Sequence, residues 1–337
     1  AYLWARDPLD AHLIMEENNS DKALREKATE RIAAAEPETP RGAADGPEKP
    51  AQDAVVRPHG PATPRFRFPS VGDLLALLGV FVVCQLVAWV VSLLCGVRMP
   101  DAGGAPLTPE QQQQTGVFVA VNYAVSMTLM ILATLLYRRL RGGTHRIARF
   151  SLRGFNPAIL LWGLVMMLAA SIVIDPLLAL LPAPPDATGR GLWALVTVVV
   201  LAPVLEELLC RGILLESLRA RYGVITALWA SSLFFAVMHL HVTLAVNALV
   251  LGLILGFIYL RTDSLYATIL LHGFNNAIAM TLLLFGMESL TLSELLPNRT
   301  LYACVYVLAM AVFALAAWRM MSRVRLLREQ EKNRPAA

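Results

Sequence analysis

The residues able to do chemistry in this chain sit inside apolar sequence, in three short stretches. They are Glu206-Glu207-Leu-Leu-Cys-Arg211, Phe235-Ala-Val-Met-His239 and His272-Gly-Phe-Asn-Asn276. A charged side chain at bilayer depth costs at least about 2.5–3.5 kcal/mol, so each such group asks for a reason. Carboxylates, imidazoles and a carboxamide on three successive apolar segments suit proton transfer and the holding of a developing negative charge.

Helix geometry sorts the roles. Neighbouring residues point about 100° apart, so Glu206 and Glu207 are not expected to face one site together. Glu207 and Arg211 are four residues apart with the acid first, the favoured order for a helical ion pair. Glu206 is left as the less compensated carboxylate, which suits a general base. His272 and Asn276 share a face, so both can donate toward one oxygen atom. Phe235 and His239 share a face in the same way, and the phenyl ring can fix the imidazole by packing. Taken singly, each motif has a plainer reading. A Glu–Arg pair can be structural glue, and His239 or His241 at a helix end can be interfacial. A His272–Asn276 pair can be an interhelical hydrogen-bond site worth about 0.6–2 kcal/mol. Three together in order are poorly explained that way.

The elements that must carry these residues follow from composition. Of 337 residues, 56% are hydrophobic and 16% charged, against roughly 45–50% and about 25% in soluble domains. Residues 1–68 hold 10 basic and 12 acidic side chains, and the remaining 269 hold 19 and 13. A single soluble globule is excluded. Residues 1–69 read as a polar, largely disordered cytoplasmic tail, with a short helix near 21–35 and eight prolines in 37–69. No apolar segment precedes Leu74, so no secretory signal is expected.

Eight apolar spans follow, at about 74–97, 116–137, 158–181, 191–215, 224–241, 243–261, 264–285 and 300–321. A crossing helix needs about 20 residues, so the expected fold is an all-α polytopic membrane protein of eight transmembrane helices over residues 70–321. A basic cytoplasmic tail, 322–337, closes the chain. Pro176 predicts a kink or an early stop in the third span, and the fifth and sixth spans must form a tight hairpin. With the N-terminus cytoplasmic, the inner flanks hold 18 Arg and Lys and the outer flanks three, Arg98, Arg190 and Arg299. That asymmetry predicts both termini on the cytoplasmic side of the cell (inner) membrane. The basic residues flank apolar runs and form no nucleic-acid patch, so the bilayer is the expected partner. Cys84, Cys95, Cys210 and Cys304 lack metal-ligand spacing and read as small buried apolar residues.

Other membrane chemistries lack their motifs. There is no HExxH and no GxSG-like elbow, and no lysine lies in any span to form a Ser–Lys dyad. Gly252 and Gly256 form a GxxxG, which reads as helix packing. Asp175 reads as interfacial.

The three stretches resemble the CAAX-protease and bacteriocin-processing family of membrane proteases (CPBP, also called ABI), whose pattern is EExxxR, FxxxH and HxxxN or HxxxD. The match covers about 70 residues within a core of about 158–285. The resemblance implies an eight-helix intramembrane endopeptidase acting on a membrane-associated peptide or protein. It implies that Glu206, assisted by His239, activates a water, that His272 and Asn276 hold the oxyanion, and that Glu207 and Arg211 complete the network. A metal-free mechanism is favoured. Zinc is the alternative, with Glu206, His239 and His272 as a ligand set. Counted from the inner ends of their spans, His272 lies roughly 12 Å deep and His239 roughly 22 Å, so tilt or offset must bring them level. The rival classes are a non-enzymatic membrane protein with an immunity or partner-binding role, and a proton-coupled transporter. The latter predicts internal repeats, and no clear one is seen.

The topology has a direct check. A single cysteine engineered at position 60 or 330 should react with an impermeant thiol reagent only after the cells are opened. Labelling in intact cells would refute the assignment.

Overall fold

Short polar caps set the helix starts. Ser70 Oγ accepts the Asp73 N–H (3.1 Å) while the Asp73 carboxylate accepts the Ser70 N–H (2.8 Å), a capping box that opens α1, Val71–Leu94. Thr108 and Gln111 do the same for α2, Pro109–Leu140, and Asn156 caps α3, Pro157–Leu178. Then come α4, Leu192–Tyr222, α5, Val224–Val237, α6, Val242–Thr262, and α7, Leu265–Leu284, capped by Ser264. The one-turn α8, Leu292–Leu295, precedes α9, Arg299–Lys332. This is a computed structural model describing residues 67–332 except 102–105, 145–146, 149, 153–154, 184–188, 288–291 and 297. The helix expected near 21–35, the proline-rich linker up to residue 66 and the last five residues of the basic tail lie outside them.

The fold is all-helical among the described residues, whose only β feature is an isolated bridge between Phe150 and Ser264. A helix lies at each of the eight expected spans. Seven are long and apolar enough to cross a membrane, and α5 is a shorter apolar helix of 14 residues. The apolar run 224–241 ends early as a helix because Leu240 takes a left-handed conformation, φ 56°, and His239 and Leu240 donate N–H to carbonyls three residues back. α3 ends two residues after Pro176, as proline requires. The outer faces are apolar, with Val83, Leu86 and Trp89 of α1 all about half exposed or more. Cys84 and Cys210 are buried, but Cys95 and Cys304 are exposed on the bundle surface, contrary to the expectation for all four.

α4 departs from regular α geometry twice. Thr197–Leu201 and Leu208–Leu215 are π-helical and flank the α-helical Ala202–Glu207. Pro203 explains the first. It has no N–H for the Val199 carbonyl and its ring would strike that carbonyl in a regular helix. α7 passes close by, where a side-chain carbon on Gly273 would stand 3.0 Å from the Val199 oxygen. The carbonyls displaced from the ladder find outside donors. Val198 O accepts from Asn276 Nδ2 (2.9 Å), and Gly212 O accepts the Ala148 N–H (3.0 Å).

Packing brings α2, α5, α6 and α7 around α4. α1 is tied to α2 at one end, where buried Asp73 accepts from Tyr137 Oη (2.9 Å) and Arg141 Nε (3.0 Å). α5 runs against α6, and Gly252 and Gly256 lie at that seam. A side-chain carbon on Gly252 would come within 3.1 Å of Ser232 Cβ and 3.3 Å of the Phe235 ring. α2 meets the start of α4 at Gly116, where a side-chain carbon would lie 2.5 Å from the Arg190 carbonyl oxygen. Next to it the Gln112 carbonyl accepts the Arg190 N–H (3.0 Å).

Gly116→Ala should therefore destabilise the detergent-purified protein by about 1–3 kcal/mol, the usual range for overpacking. Gly79→Ala, which meets open space, should not. Thermal unfolding of the two variants side by side checks this, and equal melting temperatures would refute the close crossing.

Candidate active site

Arg211 is the centre of the buried charge. Its side chain is 1% exposed and that of Glu207 is fully buried, and Arg211 Nη1 donates to Glu207 Oε1 in a short hydrogen bond. Arg211 Nη2 donates to the Gly252 carbonyl of α6 (2.9 Å). The guanidinium carbon also lies 5.1 Å from the centre of the Phe235 ring of α5. One side chain of α4 thus reaches both α5 and α6, by a cation–π contact and a hydrogen bond, while its own helix supplies the counter-ion.

His272 of α7 reaches both glutamates. Its Nδ1 lies 3.0 Å from Glu207 Oε1 and its Nε2 lies 3.6 Å from Glu206 Oε2. The carboxylates point apart, as successive helical residues must, and the imidazole spans the angle with a nitrogen toward each. The expectation that the two do not face one site together is corrected to the extent that one imidazole contacts both. A carboxylate only accepts, so Nδ1 carries the hydrogen in the bond to Glu207. Glu206 is further fixed by α2, because Tyr123 Oη donates to Glu206 Oε1 (2.5 Å).

His239 is placed by the end of α5. Its backbone N–H donates to the Ala236 carbonyl, so the Phe235 carbonyl loses its regular helical partner and accepts instead from His239 Nδ1 (2.9 Å). That carbonyl cannot donate, so Nδ1 bears the hydrogen and Nε2 of the neutral ring bears the lone pair. The Phe235 ring centre lies 4.9 Å from His239 and 5.9 Å from His272, edge to face with each. One phenyl ring therefore packs against both imidazoles. No direct bond joins His239 to Glu206 among the described contacts.

Asn276 lies one turn beyond His272 with one N–H committed to Val198 O. Its second N–H is left for another acceptor. His241 stands apart, at the start of α6, with Nδ1 buried and unpartnered. Among the described residues no three His, Cys, Asp or Glu side chains are grouped so as to hold a metal ion. Glu206, Glu207, Arg211 and His272 are thus joined side chain to side chain, whereas His239 is linked through Phe235 and Asn276 through the Val198 carbonyl of α4. The sequence does not single out Tyr123, because an Asn122-Tyr123 pair in the middle of an apolar span is a modest signal that belongs to no motif.

The arrangement offers a carboxylate with one oxygen held, two imidazole nitrogens, and an amide N–H, all inside an apolar bundle. Such a set can take a proton from water and receive an oxyanion.

Arg211→Ala should chiefly harm folding, since it strands Glu207 without its cation. Removing one partner of a buried pair costs about 3–5 kcal/mol. Arg211→Lys should recover only part, because an ammonium lacks the fork that serves Glu207 and Gly252 at once. Yields of monodisperse protein and melting temperatures should rank wild type, then Lys, then Ala.

Residues 188–278 match a family model described as type II CAAX prenyl endopeptidase Rce1-like. No curated protein and no solved structure matches the chain. The matched residues contain Glu206, Glu207, Arg211, His239, His272 and Asn276, and leave out α1, α2 and α3. Over residues 188–278, the chain carries the domain of the CAAX-protease (CPBP) family.

Proposed function

We propose that this protein is an intramembrane endopeptidase that cleaves a membrane-associated peptide or protein by metal-free hydrolysis. The observation that carries the reading is Glu206, a carboxylate set in an apolar bundle with Oε1 held by Tyr123 and Oε2 beside His272. In the proposed reaction Glu206 Oε2 takes a proton from water as the water oxygen bonds to the scissile carbonyl carbon. His239, whose Nε2 bears a lone pair, assists in holding that water. The carbonyl oxygen becomes an oxyanion and accepts from the second N–H of Asn276, and from His272 Nε2 when that nitrogen is also protonated. The C–N bond then breaks as Glu206 returns its proton to the departing amine. Glu207 and Arg211 do not touch the substrate; they fix His272 by its Nδ1. Both termini are proposed to be cytoplasmic on the strength of the flanking Arg and Lys. The family description names prenyl endopeptidases, so a prenylated C-terminal peptide is the first substrate to try.

The test is a graded series. Glu206→Gln keeps shape but cannot take a proton, so cleavage should fall to background, and His239→Ala should do nearly the same. Combining them should add little, because the two act on one water. Asn276→Ala should lose about 10²–10³-fold, as expected for one oxyanion donor, and His241→Ala should be close to neutral. Activity should survive a strong chelator. Mass spectrometry of membrane peptides from cells with wild-type or Glu206→Gln protein reads the products. Cleavage that persists in Glu206→Gln, or that needs added zinc, would overturn the assignment.

A further inference from the structure

We propose that Tyr123 is a positioning residue for hydrolysis, its hydroxyl holding Glu206 Oε1 so that Oε2 alone is presented to water. The inference deepens the protease reading and rests on it. Tyr123 lies on α2, 83 residues before Glu206 and outside the family-matched residues 188–278. A glutamate inside an apolar bundle can turn about its terminal bond and exchange its oxygens. A hydroxyl donating to Oε1 (2.5 Å) removes that freedom. The other oxygen, Oε2, is the one that faces His272 Nε2 at 3.6 Å.

The same contact serves the whole reaction. When Oε2 accepts the proton from water, Oε1 becomes the carbonyl oxygen of a carboxylic acid and still accepts from Tyr123. The acid therefore does not turn over, and its proton leaves from Oε2 to the departing amine. Tyr123 neither gains nor loses a proton. Its own placement is built in. Tyr123 follows Gly116 by two helical turns on the same face, and Gly116 is where α2 comes closest to the start of α4. Tyr123 thus reaches Glu206 from a fixed neighbouring helix.

The test compares full-length wild-type protein, Tyr123→Phe, Glu206→Gln and a variant with 3,5-difluorotyrosine at 123, all in proteoliposomes with one reporter peptide. Tyr123→Phe should lower kcat by about 10–100-fold, the scale of an ångström's misplacement, with KM and melting temperature unchanged. Difluorotyrosine keeps the ring and is a stronger donor, which draws charge from the carboxylate. It should fold as wild type does and lower kcat by about 2–5-fold, following Brønsted behaviour. Wild-type kcat in Tyr123→Phe with an inactive Glu206→Gln would overturn the role of Tyr123 and leave the protease reading standing. If Tyr123→Phe does not fold, an unchanged kcat in the difluorotyrosine variant would overturn it instead. Undiminished cleavage by Glu206→Gln would end the protease reading and the Tyr123 assignment together.

Discussion

Arg211 has no water in which to leave its charge, and Glu207 is the counter-ion that makes its place in the bundle tolerable. Most of the site hangs on that pairing. The buried ion pair offers an oxygen to His272 Nδ1, which sets the tautomer and angle of that ring. The arginine's second nitrogen reaches the Gly252 carbonyl, at the glycine seam where α5 and α6 meet. Its guanidinium carbon lies over Phe235, the ring that both imidazoles pack against. A well-packed hydrophobic replacement of the pair would leave His272 without the acceptor that orients it. Buried ion pairs contribute little to stability against apolar alternatives, so retention of this one is better accounted for by orientation than by strength.

The irregular backbone of α4 belongs to the same design. Single π turns inside α-helices occur often at functional sites because they turn side chains out of regular register. Here the first is forced by Pro203 and the second follows Glu207. Irregular backbone within a membrane is tolerated when its carbonyls are satisfied by protein. Asn276 does this at Val198 and the chain before α3 does it at Gly212. Asn276 is consequently part of the scaffold of α4 as well as a proposed donor to substrate.

The positions of the helices and the three motifs were legible because they are local properties: long apolar runs, and residues four apart. The Glu207–Arg211 pair was legible for the same reason. What the sequence did not reveal depends on which helices touch. Nothing in the order of residues says that Tyr123 meets Glu206, or that His272 bridges two successive glutamates. The two π segments are not legible because the hydropathy of the apolar run over 191–215 carries no mark of a change in helical pitch. Pro203 was the available sign, as Pro176 was for the end of α3. The shortness of α5 escaped because its apolar run continues through Val237-Met238 into the turn, so hydropathy could not mark where helical backbone ends.

That shortness bears on how a hydrolytic enzyme obtains water in hydrocarbon. Fourteen residues at 1.5 Å each reach about 21 Å, while the hydrocarbon slab is about 30 Å thick. The remaining ~9 Å beside α5 is met by a polar turn, His239-Leu240-His241, or by a bilayer that thins locally to reach it. Lipid deformation of that kind costs only fractions of a kcal/mol per ångström. It would form a shallow dimple above the very imidazole whose Nε2 is unengaged. Bilayer thickness then becomes a variable of hydration: the same protein would be wetter at its centre in short-chain lipid than in long-chain lipid.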